Sequence, residues 1–200
     1  MCKTGNQGFT AKVRAVTPHE GSAFELSVQA DAQVPTFLAG QYVNITVPGS
    51  QDHRSYSFSS APGNGELSFL IRQLPNGLMS TYLTQAKVGD ELKIDGPMGI
   101  FYLRPVTRRL LFLAGGTGLA PFLSMLEVLA NTNATQPVHL VYGVTFDKDL
   151  VMVEALEAFK DRLPNFTYTT TVADEASSHP QKGYVTHHFQ PAMLNDGDVD

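Results

Sequence analysis

A single cysteine, Cys2, stands in 200 residues. It excludes an internal disulfide framework and cannot supply the thiolates that an iron–sulfur cluster normally takes, so any such cluster must sit on another domain or protein. Basic charge is scarce as well: 14 Lys and Arg face 19 Asp and Glu, for a net charge of −5. Only Arg104 and the pair Arg108-Arg109 come close together. That leaves no cationic stripe to displace counterions from a phosphate backbone, and no nucleic-acid partner is expected. Long apolar runs are missing too. Leu110–Ala114, continued by Leu119–Leu123, is broken by Gly115-Gly116-Thr117-Gly118 and falls far short of the roughly 20 residues of a membrane span. The opening residues Met1-Cys2-Lys3-Thr4-Gly5 carry no apolar signal region, so a cytoplasmic location away from membranes is expected.

What remains is an ordinary globular composition, 42% hydrophobic and 16% charged. Up to about Leu103 the chain consists of short runs with period-two alternation. They cover 9–16, 23–28, 41–47, 55–59, 66–72 and 91–94, and turn signals rich in Gly, Pro and Asn separate them. Many short strands with regular turns predict a closed antiparallel barrel. One short helix interrupts the rhythm: residues 78–86 carry apolar side chains at helical spacing after Pro75-Asn76-Gly77. From Arg109 the pattern changes to a buried strand at 110–114, a glycine turn and a helix over 120–130. A strand at 138–142, a helix near 151–162 and a strand at 166–172 follow. Strands alternating with helices predict a parallel sheet covered by helices. The domain boundary is expected near Arg104–Arg108.

Two constellations carry candidate chemistry. In Arg54-Ser55-Tyr56-Ser57-Phe58-Ser59-Ser60, strand alternation puts Arg54, Tyr56 and Phe58 on one face, which is equally compatible with a plain barrel strand bearing a surface arginine. Gly77-Leu78-Met79-Ser80 opens the barrel's helix, where unpaired N–H groups can meet an anion, or where nothing more than a helix start is needed. Further on, Gly115-Gly116-Thr117-Gly118 sits between a buried strand and a helix, with Pro121 in the first helical turn. Glycines there let a ligand approach the backbone, although such turns also occur without nucleotides, and the spacing is not that of the Rossmann fingerprint.

Taken in order, Arg54-x-Tyr56-Ser57-x-x-Ser60, Gly77-x-x-Ser80, Gly96-Pro97-Met98-Gly99 and Leu113–Pro121 resemble the signatures of the ferredoxin reductase family of flavin reductases. Within it, the Arg-Ser-Tyr-Ser-Phe-Ser-Ser run and Gly183-Tyr184-Val185-Thr186 are most similar to the reductase components of benzoate- and anthranilate-type dioxygenases. The resemblance implies an antiparallel Greek-key β-barrel that binds FAD, residues 1–104, followed by an α/β parallel-sheet domain that binds NAD(P)H, residues 105–200. It implies that Arg54 holds the FAD diphosphate and Tyr56 packs on the flavin ring. Ser57 then approaches the flavin's reactive edge, and Ser55, Ile71, Arg72, Gly77, Met79 and Ser80 complete the flavin site. Gly115, Gly116, Gly118 and Pro121 shape the dinucleotide turn, with Thr117 near the nicotinamide; Ser57 and Thr117 are the residues expected at the reacting atoms.

Asp147 or Asp149, after the second parallel strand, is expected to accept a hydrogen bond from a ribose hydroxyl, or is simply a surface-loop carboxylate. With no arginine in 144–149 to meet a 2′-phosphate, NADH is expected over NADPH. The implied activity carries electrons from NADH through FAD to a ferredoxin-type [2Fe–2S] domain or protein that serves an oxygenase component. A flavin-binding redox sensor or electron-transfer subunit without NADH turnover is the alternative. The family's closing Cys-Gly-x-x-x-Met stretch and its ferredoxin segment have no counterpart in the 200 residues, so a C-terminally incomplete nucleotide domain is expected. His187-His188 has no acidic or Cys partner at ligand spacing, and no metal is expected. Ser57, Ser59 and Ser60 lack a Gly-x-Ser-x-Gly elbow, which speaks against hydrolase chemistry.

Overall fold

The computed structural model describes residues 7–30, 35–63, 65–189 and 193. Six antiparallel strands form the first layer: β1 (Gln7–Pro18), β2 (Ala23–Ala30), β3 (Tyr42–Thr46), β4 (His53–Ser57), β5 (Glu66–Arg72) and β6 (Glu91–Met98). Their order is β4-β3-β6-β1-β2-β5. The edge strands β4 and β5 curl toward each other just past the end of β4, where the Ser59 amide donates to Ser68 O at 2.8 Å and the Ser68 amide donates to Ser60 Oγ at 3.0 Å. Among the described residues, β4 forms a strand ladder only with β3.

Alternation explains the core. Val43, Ile45, Leu92, Ile94, Leu26 and Val28 are all essentially inaccessible, and each sits two residues from its partner along a strand. Phe58 lies among them, with its ring 3.8 Å from Phe37 and 5.5 Å from Phe69. Helix α1 (Leu78–Thr84) closes the barrel end by burying Met79 and Leu83. It is shorter than the apolar spacing suggested, because residues 85 and 86 turn away toward β6.

The second layer has a parallel sheet in the order β7-β8-β9, formed by Leu110–Gly115, Val138–Val144 and Phe166–Val172. Helices α2 (Ala120–Asn131) and α3 (Val153–Arg162) are the crossovers. Leu110, Phe112, Leu140 and Tyr142 face α2 residues such as Phe122, Leu126 and Leu129 in a second core. Strand β8 runs two residues beyond the expected end, because Val144 remains buried. Helix α3 starts two residues later than its apolar pattern, since Met152 adopts φ 64° and breaks the helical path.

The two layers touch closely. Ser124 of α2, fully buried, donates to the Ser60 carbonyl at 2.6 Å, and Ala39 and Leu70 of the barrel join the second core.

Candidate functional site

Arg54 and Tyr56 project on one side of β4, paired across the ladder with Ile45 and Val43. Arg54, on the edge strand β4, is exposed, with Nη1 donating to His53 O at 2.7 Å. Tyr56 is half-buried against the barrel core. Burial pushes its phenol up to about 12, the Arg54 charge opposing the shift, so the hydroxyl stays protonated at neutral pH. Ser55 points the other way and donates to Asn44 Oδ1 at 2.7 Å, which leaves its backbone as the group nearest Arg54 and Tyr56. Ser57 ends the strand, half-buried. Ser59 Oγ is buried without a hydrogen-bond partner.

Ile71 is buried in the barrel core, whereas Arg72 at the end of β5 is exposed. Gly77 caps α1, and Met79 directs its side chain inward, so Met79 can meet a ligand only through its backbone. Ser80 is also buried. Its hydroxyl accepts from the Leu74 amide at 3.1 Å and donates to Leu74 O at 3.4 Å or Gly77 O at 3.3 Å. Ser80 therefore stiffens the 74–77 loop ahead of α1. An added Cβ on Gly77 would stand 2.7 Å from Ser80 Oγ, which accounts for glycine there.

A cleft of about 560 Å³ lies where the layers meet. Gly115, Gly116 and Thr117 form one wall, and Ser22, Ala23 and Arg72 of the barrel form the opposite one. Gly143 to Thr145, Asp149 and residues 184–186 complete it. The glycine turn is a single 3-10 turn, Gly116–Leu119, rather than a direct entry into α2, and Pro121 stands at the start of that helix. Gly116 has φ 53°, and a Cβ built on Gly115, Gly116 or Gly118 would meet nothing within 4 Å. Their backbones thus border open space that a ligand can fill. Gly143 differs: a Cβ there would come 2.5 Å from Val185 Cγ2, so this glycine admits the 183–188 segment against β8.

Among the cleft-lining residues Arg72 is the only cation and Asp149 the only acid. Of the two acids the sequence offered for the ribose, Asp149 lines the cleft, whereas Asp147 is exposed outside it and accepts a hydrogen bond from Ser177 Oγ at 2.6 Å. Of the expected residues, the fold gathers Arg72, Gly115, Gly116 and Thr117 around one cavity, while Arg54, Tyr56 and Ser57 stand at the β4 edge. Thr145 follows the second parallel strand and Tyr184 belongs to the Gly183-Tyr184-Val185-Thr186 run, whereas Ser22 is a cleft residue that sequence reasoning missed. No local pattern marks Ser22, since it meets Asp149 across 127 positions.

An exposed arginine beside an accessible aromatic face, and a glycine turn bordering unfilled space, fit a flavin dinucleotide and a pyridine dinucleotide respectively. Residues 10–102 match the family described as Oxidoreductase FAD-binding domain, and residues 112–199 the family described as Oxidoreductase NAD-binding domain. The chain belongs to the FAD- and NAD-binding oxidoreductases of the ferredoxin reductase type. FAD and NAD are the cofactors of these paired domains.

The oxidoreductase is 53% identical to the toluate 1,2-dioxygenase electron transfer component of Pseudomonas putida, over 100% of this chain and 60% of that protein. It is 46% identical to the 2-halobenzoate 1,2-dioxygenase electron transfer component of Burkholderia cepacia, with the same two coverages. Among solved structures, the ferredoxin reductase in carbazole 1,9a-dioxygenase aligns with a TM-score of 0.84 at 26% identity, over 98% of this chain and 60% of that one. The chain thus spans 60% of the length of these two relatives. Among the described residues no helix is long and apolar enough to cross a membrane, and no group of three or more His, Cys, Asp or Glu could hold a metal ion.

Proposed function

We propose that the chain is the flavin- and NADH-handling part of a dioxygenase electron-transfer component, moving electrons from NADH through FAD to a ferredoxin-type [2Fe–2S] acceptor that serves a ring-hydroxylating oxygenase. The observation that carries this reading is the jointly lined cleft: barrel residues Ser22, Ala23 and Arg72 face the glycine turn Gly115–Thr117 across one cavity. A dinucleotide on that turn would lie against the barrel that holds the flavin. The likeness to two dioxygenase electron transfer components supports the role. Barrel and nucleotide units are assigned to 1–104 and 105–200.

FAD and NADH would supply the redox chemistry when bound. The residues supply binding, orientation and electrostatics. Arg54 pairs its guanidinium fork with the FAD diphosphate, which the 74–77 loop meets from the other side. Tyr56 offers its ring as a stacking surface and keeps its phenol protonated. Ser57 and Thr117 are assigned to the two faces that meet the reacting atoms. Arg72 offsets the anionic diphosphate of the nucleotide in the cleft. No arginine lies between Val144 and Asp149 to meet a 2′-phosphate, so NADH is favoured.

The test is an anaerobic titration. The protein loaded with FAD should be yellow, bleach with NADH and recover its colour on adding an oxidised [2Fe–2S] ferredoxin. A yellow protein that keeps its colour with excess NADH would leave a flavin module without nucleotide turnover; one that never takes up FAD would refute the whole assignment.

A further inference from the structure

Two attachments of different kinds join the layers. In one, the buried Ser124–Ser60 hydrogen bond and apolar contacts fix α2 to the barrel. In the other, the tight β1–β2 turn meets the turn after β8: the amide and the hydroxyl of Ser22 both donate to one oxygen of Asp149, each at 3.2 Å. Both residues line the cleft itself. The approach is close enough to dictate the neighbouring residue. Gly21 has φ 73°, and a Cβ on it would stand 2.5 Å from both Asp149 Oδ1 and Lys148 O.

Each partner is tied into a wall of the cleft. The Ser22 carbonyl accepts from the Gln73 amide at 2.6 Å, next to Arg72. The Asp149 carbonyl accepts from the Val151 amide at 3.0 Å and from the Tyr142 hydroxyl at 3.5 Å, linking it to β8 and the start of α3. The Ser22–Asp149 contact therefore spans the cavity from the flavin-side wall to the nucleotide-side wall.

We propose that Asp149 and Ser22 form a positioning latch that sets the separation of the two cleft walls, and with it the approach of nicotinamide to flavin. This rests on the reading of the cleft as the NADH site. The latch adds no proton or electron to the reaction. It holds one geometry, and the argument for its importance is that displacement of reacting groups by about 1 Å can cost on the order of 100-fold in rate.

Three substitutions in the FAD-loaded chain separate this role from others. Asp149→Ala removes the acceptor. Gly21→Ala wedges the turns apart while leaving both hydrogen-bonding groups in the chain. Asp149→Asn keeps an oxygen that can accept from Ser22. In stopped-flow reduction at saturating NADH, Asp149→Ala and Gly21→Ala should lower the limiting rate of flavin bleaching at least about tenfold, without raising the half-saturating NADH concentration. Asp149→Asn should recover most of the rate. Native-state hydrogen exchange should show the Ser22 amide exchanging at least about tenfold faster in Asp149→Ala than in the unmodified chain, with the amides of β3 and β6 unchanged.

A limiting rate within twofold of wild type in both disrupting variants overturns the proposal, as does an unaltered Ser22 exchange rate. A drop in Asp149→Asn as deep as in Asp149→Ala also overturns it, since the charge rather than the latch would then matter. Should the unmodified protein itself resist bleaching by NADH, the NADH-reductase reading fails, and the exchange arm still decides whether the latch exists.

Discussion

Replacing Arg54 by alanine tests the flavin assignment at its centre. The guanidinium stands on the edge strand β4, exposed, with one N–H engaged by the neighbouring His53 carbonyl and the rest of its fork directed to solvent. A hydrogen bond to a charged group contributes about 1.5–3 kcal/mol. Solvent screening at an exposed site and the loss of the His53 contact on rearrangement both reduce that figure, so about 2 kcal/mol is the working value. At about 1.4 kcal/mol per decade this is roughly a 30-fold rise in the FAD dissociation constant. Titration of the flavin-free protein by quenching of flavin fluorescence measures it directly. Arg54→Lys keeps the charge but loses the planar fork, and its dissociation constant should fall between the two. The unmodified protein should also lose affinity as salt rises, and Arg54→Ala should lose less. An FAD affinity for Arg54→Ala within twofold of the parent, at low salt, would remove Arg54 from the diphosphate site.

Gly118→Val adds a side chain into open space without a positive φ, so NADH affinity should weaken at least about tenfold while the melting temperature stays put; Gly116→Val should in addition cost about 1–2 kcal/mol of stability, because φ 53° is strained for a branched residue. Ser124→Ala leaves the buried Ser60 carbonyl without its donor and should destabilise the chain by about 1–3 kcal/mol, readable in urea unfolding, with no change in the colour of bound flavin. The phenols of Tyr56, Tyr142 and Tyr168 are each raised from 10.0 to about 12, principally by burial. The folded chain thus holds protons that the unfolded chain releases above pH 10, so this contribution is complete below pH 10 and is lost between pH 10 and 12. Absorbance at the tyrosinate band should show these three ionising near pH 12 while the chain stays folded; reversible ionisation near pH 10 would contradict the shift.

The alternating runs before Leu103 and the strand–helix alternation after Arg109 were legible because periodicity is a local property, set by which face each residue offers to a core. The glycine turn was legible for the same reason, since its chemistry lies in four consecutive residues. Boundaries were less so: β8 continues to Val144 because tertiary burial extends it, and Met152 delays α3 by a backbone angle that no composition announces. Ser80 read as a hydroxyl for the ligand, yet burial against the 74–77 loop turns it inward.

The sequence by itself determined two kinds of layer and two glycine-bearing turns ahead of helices, since residue type and spacing along a strand or turn are all that these need. Which carboxylate faces the cleft was decided only by the fold. Asp147 and Asp149 are two positions apart and chemically equal, but Ser177 draws one outward and Ser22 holds the other at the cavity. Such choices depend on contacts between residues far apart in the chain, 30 and 127 positions here, and long-range contacts leave no periodic trace in either segment.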